Sequence, residues 1–384
     1  MQEASVSIRL NPFKGCAGPE GTLVPWSPYG RILESRPSFT LDPLFHAGCY
    51  YVQDSSAMFV GKVFRDCLSR VLAENGGEPV CVLDLCAAPG GKTTDLAASL
   101  REALGERFIL VSNEVMKARS QVLLDNVALW GDPNVVVTSV DPAAFKSLQG
   151  YFDIIVADVP CSGEGMFRKD PKAREQFSQA VVELCAARQK RILADVWPAL
   201  RAGGYLVYST CTYQDAENDA NLLWACTDLG GEALPADGSF ASHGVETTRA
   251  GNLLRVGKVP GEGQWAGALR KDGSSVASLR TISQLEILRP LRSGIRKGEL
   301  KGRDFVPDSD YALSLDFDRT EYNCFEADLQ TALHFLHRDA LRLPDAPPGY
   351  NVICYQGHPL GFVKNIGNRC NNLLPKSRRI LMNI

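Results

Sequence analysis

The sequence predicts an α/β fold with a doubly wound parallel sheet, on three observations. From about residue 80, short runs rich in Val, Ile and Leu alternate with longer amphipathic stretches, the order expected of strand and helix units around a parallel sheet. The runs are apolar almost without interruption, which means that both faces of each strand are covered. Polar or reactive residues recur where the runs end, and open α/β sheets bind ligands outside the carboxyl ends of their strands.

Taken in order, the strands are expected at VCVLDLC (80–86), FILVSNE (108–114), NVVVTSVD (134–141), FDIIVADVP (152–160) and GYLVYSTC (204–211). Residues 92–104, 115–130, 171–199 and 214–229 have helical patterning, and the Gly203-Gly204 pair ends the third helix and opens the last strand. Residues 231–252 have no clear period and many Gly, Ser, Ala and Thr, so they are expected as a surface loop. LLRVGKVPGEGQWAGALRKDG then predicts a closing hairpin around Pro260 and Gly261. A small, half-β unit begins near Ser283, where pieces such as NVICYQ and GHPLGFVK are joined by tight turns. The first fifty residues carry many turn formers, in NPFKGC and PWSPYG, and suggest the remnant of an N-terminal module. The expected division is 1–50, 51–275 and 283–384.

With 384 residues, 45% of them hydrophobic and 22% charged, the chain is long enough to bury a full core. Its start has no basic segment followed by an apolar run, and no window approaches the roughly 18 uninterrupted apolar residues of a membrane helix. A cytoplasmic, monomeric protein with no membrane partner is the expectation. The twelve cysteines are spread through strand-like and helix-like segments of a long chain, which favours reduced thiols. No pair has Cys-x-x-Cys spacing, and the close pair His334 and His337 has no cysteine nearby, so no metal is expected. The net charge is -3, but Arg289, Arg292, Arg296, Lys297, Lys301 and Arg303 fall in one stretch. Lys364, Arg369, Lys376, Arg378 and Arg379 form a second. Taken alone, such runs are most simply two solvated faces.

Every strand end carries a candidate. The first strand runs into Cys86-Ala87-Ala88-Pro89-Gly90-Gly91-Lys92, where small residues allow close approach of a ligand and the following helix offers free amides. The second ends in Glu114, the third in Asp141 and the fourth in Asp158. An acid after the second strand is the usual partner of ribose hydroxyls, so a nucleoside-containing cofactor is expected. Gly90-Gly91-Lys92-Thr93 also approaches a phosphate-binding loop, but Cys86 stands where that motif has its first glycine. An ATPase, with IIVAD as its magnesium strand, is the second reading of this turn. Cys161 and Cys211 lie at the exits of two central strands. A lone cysteine is usually a small buried hydrophobe, the reading given to Cys49, Cys67, Cys81, Cys185, Cys226, Cys324 and Cys354. Two thiols at adjacent strand tips beside a nucleoside site suggest addition to an electron-poor ring carbon instead.

CAAPGGK, DVPCSGEGMFRKDP and YSTCTYQDAEN resemble, in order, the motifs of the RNA cytosine carbon-5 methyltransferases of the nucleolar-protein and Sun type. RLNPFK, DPLFHAGCYYVQDSSAM and GHPLGFVKNIGNRCNNLLPKSRRI are similar to the bacterial branch that modifies small-subunit ribosomal RNA. Val159 stands where the family tends to have Ala, and Trp265 where it tends to have Phe. The resemblance implies a Rossmann-like S-adenosylmethionine methyltransferase domain with a PUA-like RNA-binding domain at the C-terminus. It implies that Cys211 attacks carbon 6 of the cytosine, that Asp158 serves the ring nitrogen at position 3, and that Cys161 assists release. Residues 86–92 would hold the methionine carboxylate and ribose side, Glu114 the ribose hydroxyls and Asp141 the adenine amino group, with Asp158 near the methyl donor. Lys92 and Arg168 are candidates for lowering a thiol pKa. The expected partner is ribosomal RNA or the small ribosomal subunit, with transfer RNA as the alternative. A DNA cytosine enzyme would use the Pro-Cys cysteine as nucleophile and have no need of Cys211. An inactive RNA binder would have lost a cysteine or Asp158, and an exocyclic-amine enzyme would show Pro-Pro and an aromatic at Pro160-Cys161-Ser162.

Overall fold

The computed structural model describes residues 5–167, 174–175, 177–274 and 280–384. Its centre is a twisted sheet in which β5 (Val80–Asp84), β6 (Phe108–Asn113), β7 (Val135–Thr138), β8 (Phe152–Asp158) and β9 (Leu200–Thr210) run parallel. They stand in the order β7-β6-β5-β8-β9. The order reverses between β5 and β8, and this Rossmann-like switch point opens a crevice above the strand tips. β13 (Gln264–Lys271) lies antiparallel beside β9 and continues through β12 (Asn252–Leu254) to β11 (Glu246–Thr247). β12 and β13 form the hairpin expected around Pro260 and Gly261.

The uninterrupted apolar character of the strands has its physical basis in two cores, one on each face. Val80, Val82, Leu110, Ile154, Val156 and Val207 face one core with the helices Phe59–Glu74, Gly91–Leu104 and Lys117–Trp130. Their neighbours Cys81, Leu83, Val111, Ile155, Ala157 and Leu206 face the other, with the helix Gln179–Val196. Alternation along each strand thus feeds both layers.

Several boundaries differ from expectation for local reasons. The third helix ends at Val196, because Trp197-Pro198-Ala199 tightens into a 3-10 turn and Pro198 has no amide to continue the ladder. Residues 168–173 and 176, at the start of the expected helix, lie outside the described residues. β9 begins at Leu200, so Gly203 and Gly204 fall inside the strand instead of before it. Gly203 has φ +74°, and the β8–β9 register shifts nearby, between Phe152 and Ile154; a left-handed glycine of this kind accommodates such an irregularity. The expected helix 214–229 is divided into a 3-10 turn Asp215–Glu217, a helix Asp219–Trp224 and a wider turn Ala225–Gly230. The expected loop 231–252 contains two short edge strands, β10 (Gly231–Ala233) and β11. β14 (Arg292–Ser293) pairs antiparallel with β7 and extends the far edge of the central sheet.

At the N-terminus, β1 (Val6–Leu10), β2 (Thr22–Leu23), β3 (Gly30–Leu33) and β4 (Tyr50–Val52) make a four-stranded sheet in the order β2-β3-β1-β4. At the C-terminus, β15 (Gly298–Lys301) and β16 (Asp304–Pro307) pair as a ribbon. β17 (Asn323–Glu326), β18 (Gly349–Tyr355), β19 (His358–Asn365) and β20 (Cys370–Asn372) form another four-stranded sheet with the helix Leu329–His337. The two ends share one core: Ile8, Leu33, Phe39 and Tyr50 pack with Leu333, Phe335, Leu336, Ile353, Leu360 and Val363. Among the described residues, no helix is long and apolar enough to cross a membrane.

Candidate active site

Two loops meet above the β5–β8 switch point. The first, Cys86–Gly90, joins β5 to the helix Gly91–Leu104, and Gly90 takes φ +112°, a conformation that only glycine adopts freely. Its carbonyls are tied down from the side: Arg119 donates to Ala88 O at 2.6 Å and Asn126 to Pro89 O at 2.8 Å. The first turn of the helix keeps its amides at the crevice, a fixed array of donors for a carboxylate. At the root of the loop Asp84 is fully buried; it accepts from the Thr93 hydroxyl at 2.6 Å, while its other oxygen has no hydrogen-bond partner. Burial pushes the Asp84 carboxyl up to about 7 and the Cys86 thiol well above its usual range.

Glu114 follows β6 and is 3% exposed. Its Oε1 accepts the Met116 amide at 2.9 Å, whereas Oε2 faces Arg119 at 3.3 Å without making a hydrogen bond. A buried carboxylate oxygen left this way fits a ribose hydroxyl donor. Asp141 lies three residues beyond the end of β7, is exposed, and caps the turn Pro142–Ser147 by accepting the Ala143 amide at 3.0 Å. Asn113 was not anticipated. Its amide donates to Leu85 O at 3.2 Å and Val140 O at 3.0 Å and its carbonyl accepts from Thr138 and the Val140 amide, which holds three strand exits in register.

Asp158, Lys92, Cys161 and Cys211 are brought together. Lys92 reaches from the helix start to Asp158 Oδ2 at 2.7 Å. Asp158 Oδ1 accepts the Ser209 hydroxyl at 2.7 Å and the Gln264 amide at 3.1 Å. The two thiols are 3.1 Å apart. The hydrogen bond between the two thiols holds Cys211 below its usual range, with Lys92 adding to the effect against burial and the charge of Asp158. Cys161 is pushed well above its own, by the same contact and by burial. Sequence reasoning named Lys92 for this task but overlooked the neighbouring thiol, and Arg168 lies outside the described residues.

The loops that carry the thiols are fixed by residues with no motif to announce them. Buried Glu217 accepts the Ser162 amide at 3.0 Å and the Gln189 side chain at 2.7 Å; Gln189 also donates to Pro160 O at 3.0 Å. Glu164 takes the Thr212 hydroxyl and the Tyr213 amide, both at 2.8 Å, and Gly165 donates its amide to Cys211 O at 2.8 Å. A Cβ at Gly165 would stand 2.8 Å from that same oxygen, so glycine allows the approach. The N-terminal sheet is latched on as well. Asp54 accepts the Glu262 amide at 3.1 and 3.2 Å, and Arg9, 0% exposed, donates to Gly91 O at 3.1 Å and to Thr94.

The sequence profile of 16S rRNA methyltransferase RsmB/F matches residues 70–227. The N-terminal domain of RsmF matches 1–55, and the RsmF PUA domain 322–380. A ribosomal RNA small subunit methyltransferase F of Erwinia tasmaniensis is 30% identical, over 92% of this chain and 84% of the relative. The chain belongs to the RsmB/F methyltransferase family. Another methyltransferase F, from Escherichia coli, is 30% identical over 96% of this chain and 89% of its own length. Among solved structures, a methyltransferase homologue from Pyrococcus horikoshii superposes with a TM-score of 0.55 at 25% identity, covering 70% of this chain and 87% of that one. A member of this family takes its methyl group from S-adenosylmethionine. The amides of the first turn of the helix Gly91–Leu104 and the unsatisfied oxygen of Glu114 fit that molecule's carboxylate and ribose.

The basic stretches are partly structural. Arg378 is 9% exposed and paired with Asp310. Arg292 meets Asp310 at 2.6 Å, Lys297 meets Glu321 at 2.7 Å and Lys301 meets Glu299 at 2.9 Å. Arg296, Arg303, Arg369, Lys376 and Arg379 are exposed.

Proposed function

We propose that the chain methylates carbon 5 of a cytosine in small-subunit ribosomal RNA, with Cys211 as nucleophile. The observation that carries this reading is the pair of thiols 3.1 Å apart beside the Lys92–Asp158 ion pair, at the tips of adjacent parallel strands. Cytosine carbon 5 is a poor nucleophile. The Cys211 thiolate forms a bond to carbon 6, and the electron pair displaced from the ring is accommodated as a proton settles at nitrogen 3, where Asp158 acts. S-adenosylmethionine supplies the electrophilic methyl group. Cys161 loses its own thiol proton to solvent and, as a thiolate, takes the proton from carbon 5; the bond from sulfur to carbon 6 breaks, nitrogen 3 returns its proton through Asp158, and Cys211 leaves as a thiolate.

In this reading Cys86, Ala87, Ala88, Pro89, Gly90, Gly91 and Lys92 line the methionine and ribose side. Glu114 takes the ribose hydroxyls and Asp141 the adenine amino group. The N-terminal sheet and the C-terminal unit from about Ser283 hold the RNA backbone, with Arg296, Arg303, Arg369 and Lys376 exposed for phosphate contacts. The target base leaves its stack to reach the thiols.

Bisulfite sequencing of ribosomal RNA from cells with and without the gene tests the substrate. One protected cytosine in small-subunit RNA, lost with the gene, is expected. A full set of protected positions in the deletion strain overturns the reading.

A further inference from the structure

The corner where the two chain ends meet contains a cluster that the methyl transfer does not use. The sulfur atoms of Cys16 and Cys49 and a ring nitrogen of His358 lie within 4.8 Å of one another, the only such group of metal-ligating side chains among the described residues. We propose that Cys16, Cys49 and His358 bind a soft divalent cation, Zn2+, which joins the N-terminal sheet to the C-terminal one.

Two thiolates and an imidazole are a donor set that zinc favours over hard cations, and the fourth position is filled by water. Zinc bonds of about 2.3 Å to sulfur and 2.0–2.1 Å to nitrogen place ligands about 3.5–4 Å apart in a tetrahedral site. Closing the observed cluster therefore takes movements of about 1 Å or less. Cys16 and His358 are half-buried and Cys49 is buried, so the site opens to solvent on one side.

Each ligand sits on backbone that is held independently of a metal. Asn11 holds the Cys49 backbone: its main-chain amide donates to Cys49 O at 2.8 Å and its side-chain amide to Gly48 O at 3.1 Å. His358 opens β19 directly after Gly357, whose carbonyl accepts from Arg319 at 2.7 Å and whose amide donates to Glu326 at 3.2 Å. Lys14 anchors the Cys16 loop from the other side by donating to Leu313 O. Lys14 and Arg319 also act electrostatically on this corner; two thiolates offset that positive charge as well as the cation's, and two protons leave as the metal binds.

The expectation of no metal rested on the lack of Cys-x-x-Cys spacing and of a cysteine near His334 and His337, and Cys49 was read as a lone buried hydrophobe. The three ligands belong to three separated segments and match no ligand motif.

The test uses the full chain, reduced and treated with chelator, then titrated with Co2+ as a spectroscopic probe and with Zn2+. One Co2+ per chain is expected, with a thiolate-to-cobalt charge-transfer band, and Zn2+ is expected to displace it and raise the melting temperature. Cys16→Ser and His358→Ala, both at half-buried positions and checked for an unchanged far-UV circular dichroism spectrum, each weaken binding by about tenfold or more, while Cys324→Ser leaves the band unchanged. Absence of the band, its persistence in both variants, or a Cys16–Cys49 disulfide in protein prepared under reducing conditions overturns the proposal. Methyl transfer does not enter any of these readouts, so the site stands or falls separately from the proposed reaction.

Discussion

The Cys161 and Cys211 sulfur atoms lie 3.1 Å apart, and their mutual hydrogen bond shifts the two thiols in opposite directions, Cys211 down and Cys161 up. In the proposed reaction the lower-lying thiol, Cys211, is the nucleophile. With Cys211→Ala neither methyl transfer nor a covalent protein–RNA species is expected. With Cys161→Ala release stalls, so a denaturation-resistant complex accumulates once S-adenosylmethionine is supplied. Denaturing gels read both outcomes, and a band from the Cys211 variant alone reverses the assignment.

The same contact predicts a pH effect. Removing the Cys161 thiol removes the contact that lowers the Cys211 pKa, which should rise, and thiolate predominates only above that pKa. The rate of adduct formation in Cys161→Ala should therefore rise at higher pH than in the wild type. Profiles that superimpose would show that Cys161 does not tune its neighbour.

Glu114 leaves one buried oxygen without a hydrogen bond. Glu114→Ala should weaken S-adenosylmethionine binding by about 1.5–3 kcal/mol, the loss of a charge-assisted hydrogen bond. Calorimetry that returns an unchanged dissociation constant removes Glu114 from the cofactor site.

Asp84 is fully buried, with its carboxyl raised from 3.8 to about 7. Between those values the folded chain binds the proton that the unfolded chain has released, so stability falls as pH rises through the window. Asp84→Asn removes that slope. The variant should gain on the wild type by roughly 2 kcal/mol between pH 4 and pH 8, at about 1.4 kcal/mol per unit with allowance for relaxation. Urea unfolding at several pH values measures it, and a constant difference contradicts it.

The C-terminal unit cannot be tested by deletion, because the N-terminal sheet shares its core. Charge reversal at Arg296, Arg303, Arg369 and Lys376 is the suitable change. RNA binding should weaken and its salt dependence flatten, by about 0.7–0.9 in logarithmic slope per lost contact, with cofactor affinity unaltered. An unaltered slope would place the RNA elsewhere.

The sheet and the thiol pair were legible because their signals are local: continuous apolar runs, glycines beside a strand end, and cysteines that follow strands directly. Glu217, Gln189 and Asn113 were not, since each acts through contacts with segments distant in sequence and none belongs to a motif. Arg9 belongs to no catalytic motif, and the structure buries it against Gln53, Thr94 and the Trp130 ring. Helix and strand ends shifted where a proline or a left-handed glycine, Pro198 and Gly203, broke a periodic pattern.

Packing Ile8 and Tyr50 against Phe335, Leu360 and Val363 also fixes an order of events during synthesis. A chain leaving the ribosome presents β1 and β4 before the apolar surface of residues 327–380 that covers them. The central sheet, whose strands and helices follow one another closely, is able to close while translation continues. Val24 and Trp26 join the core of the central sheet, whereas the face made by Ile8, Phe39 and Tyr50 stays uncovered until the C-terminal sheet has been made.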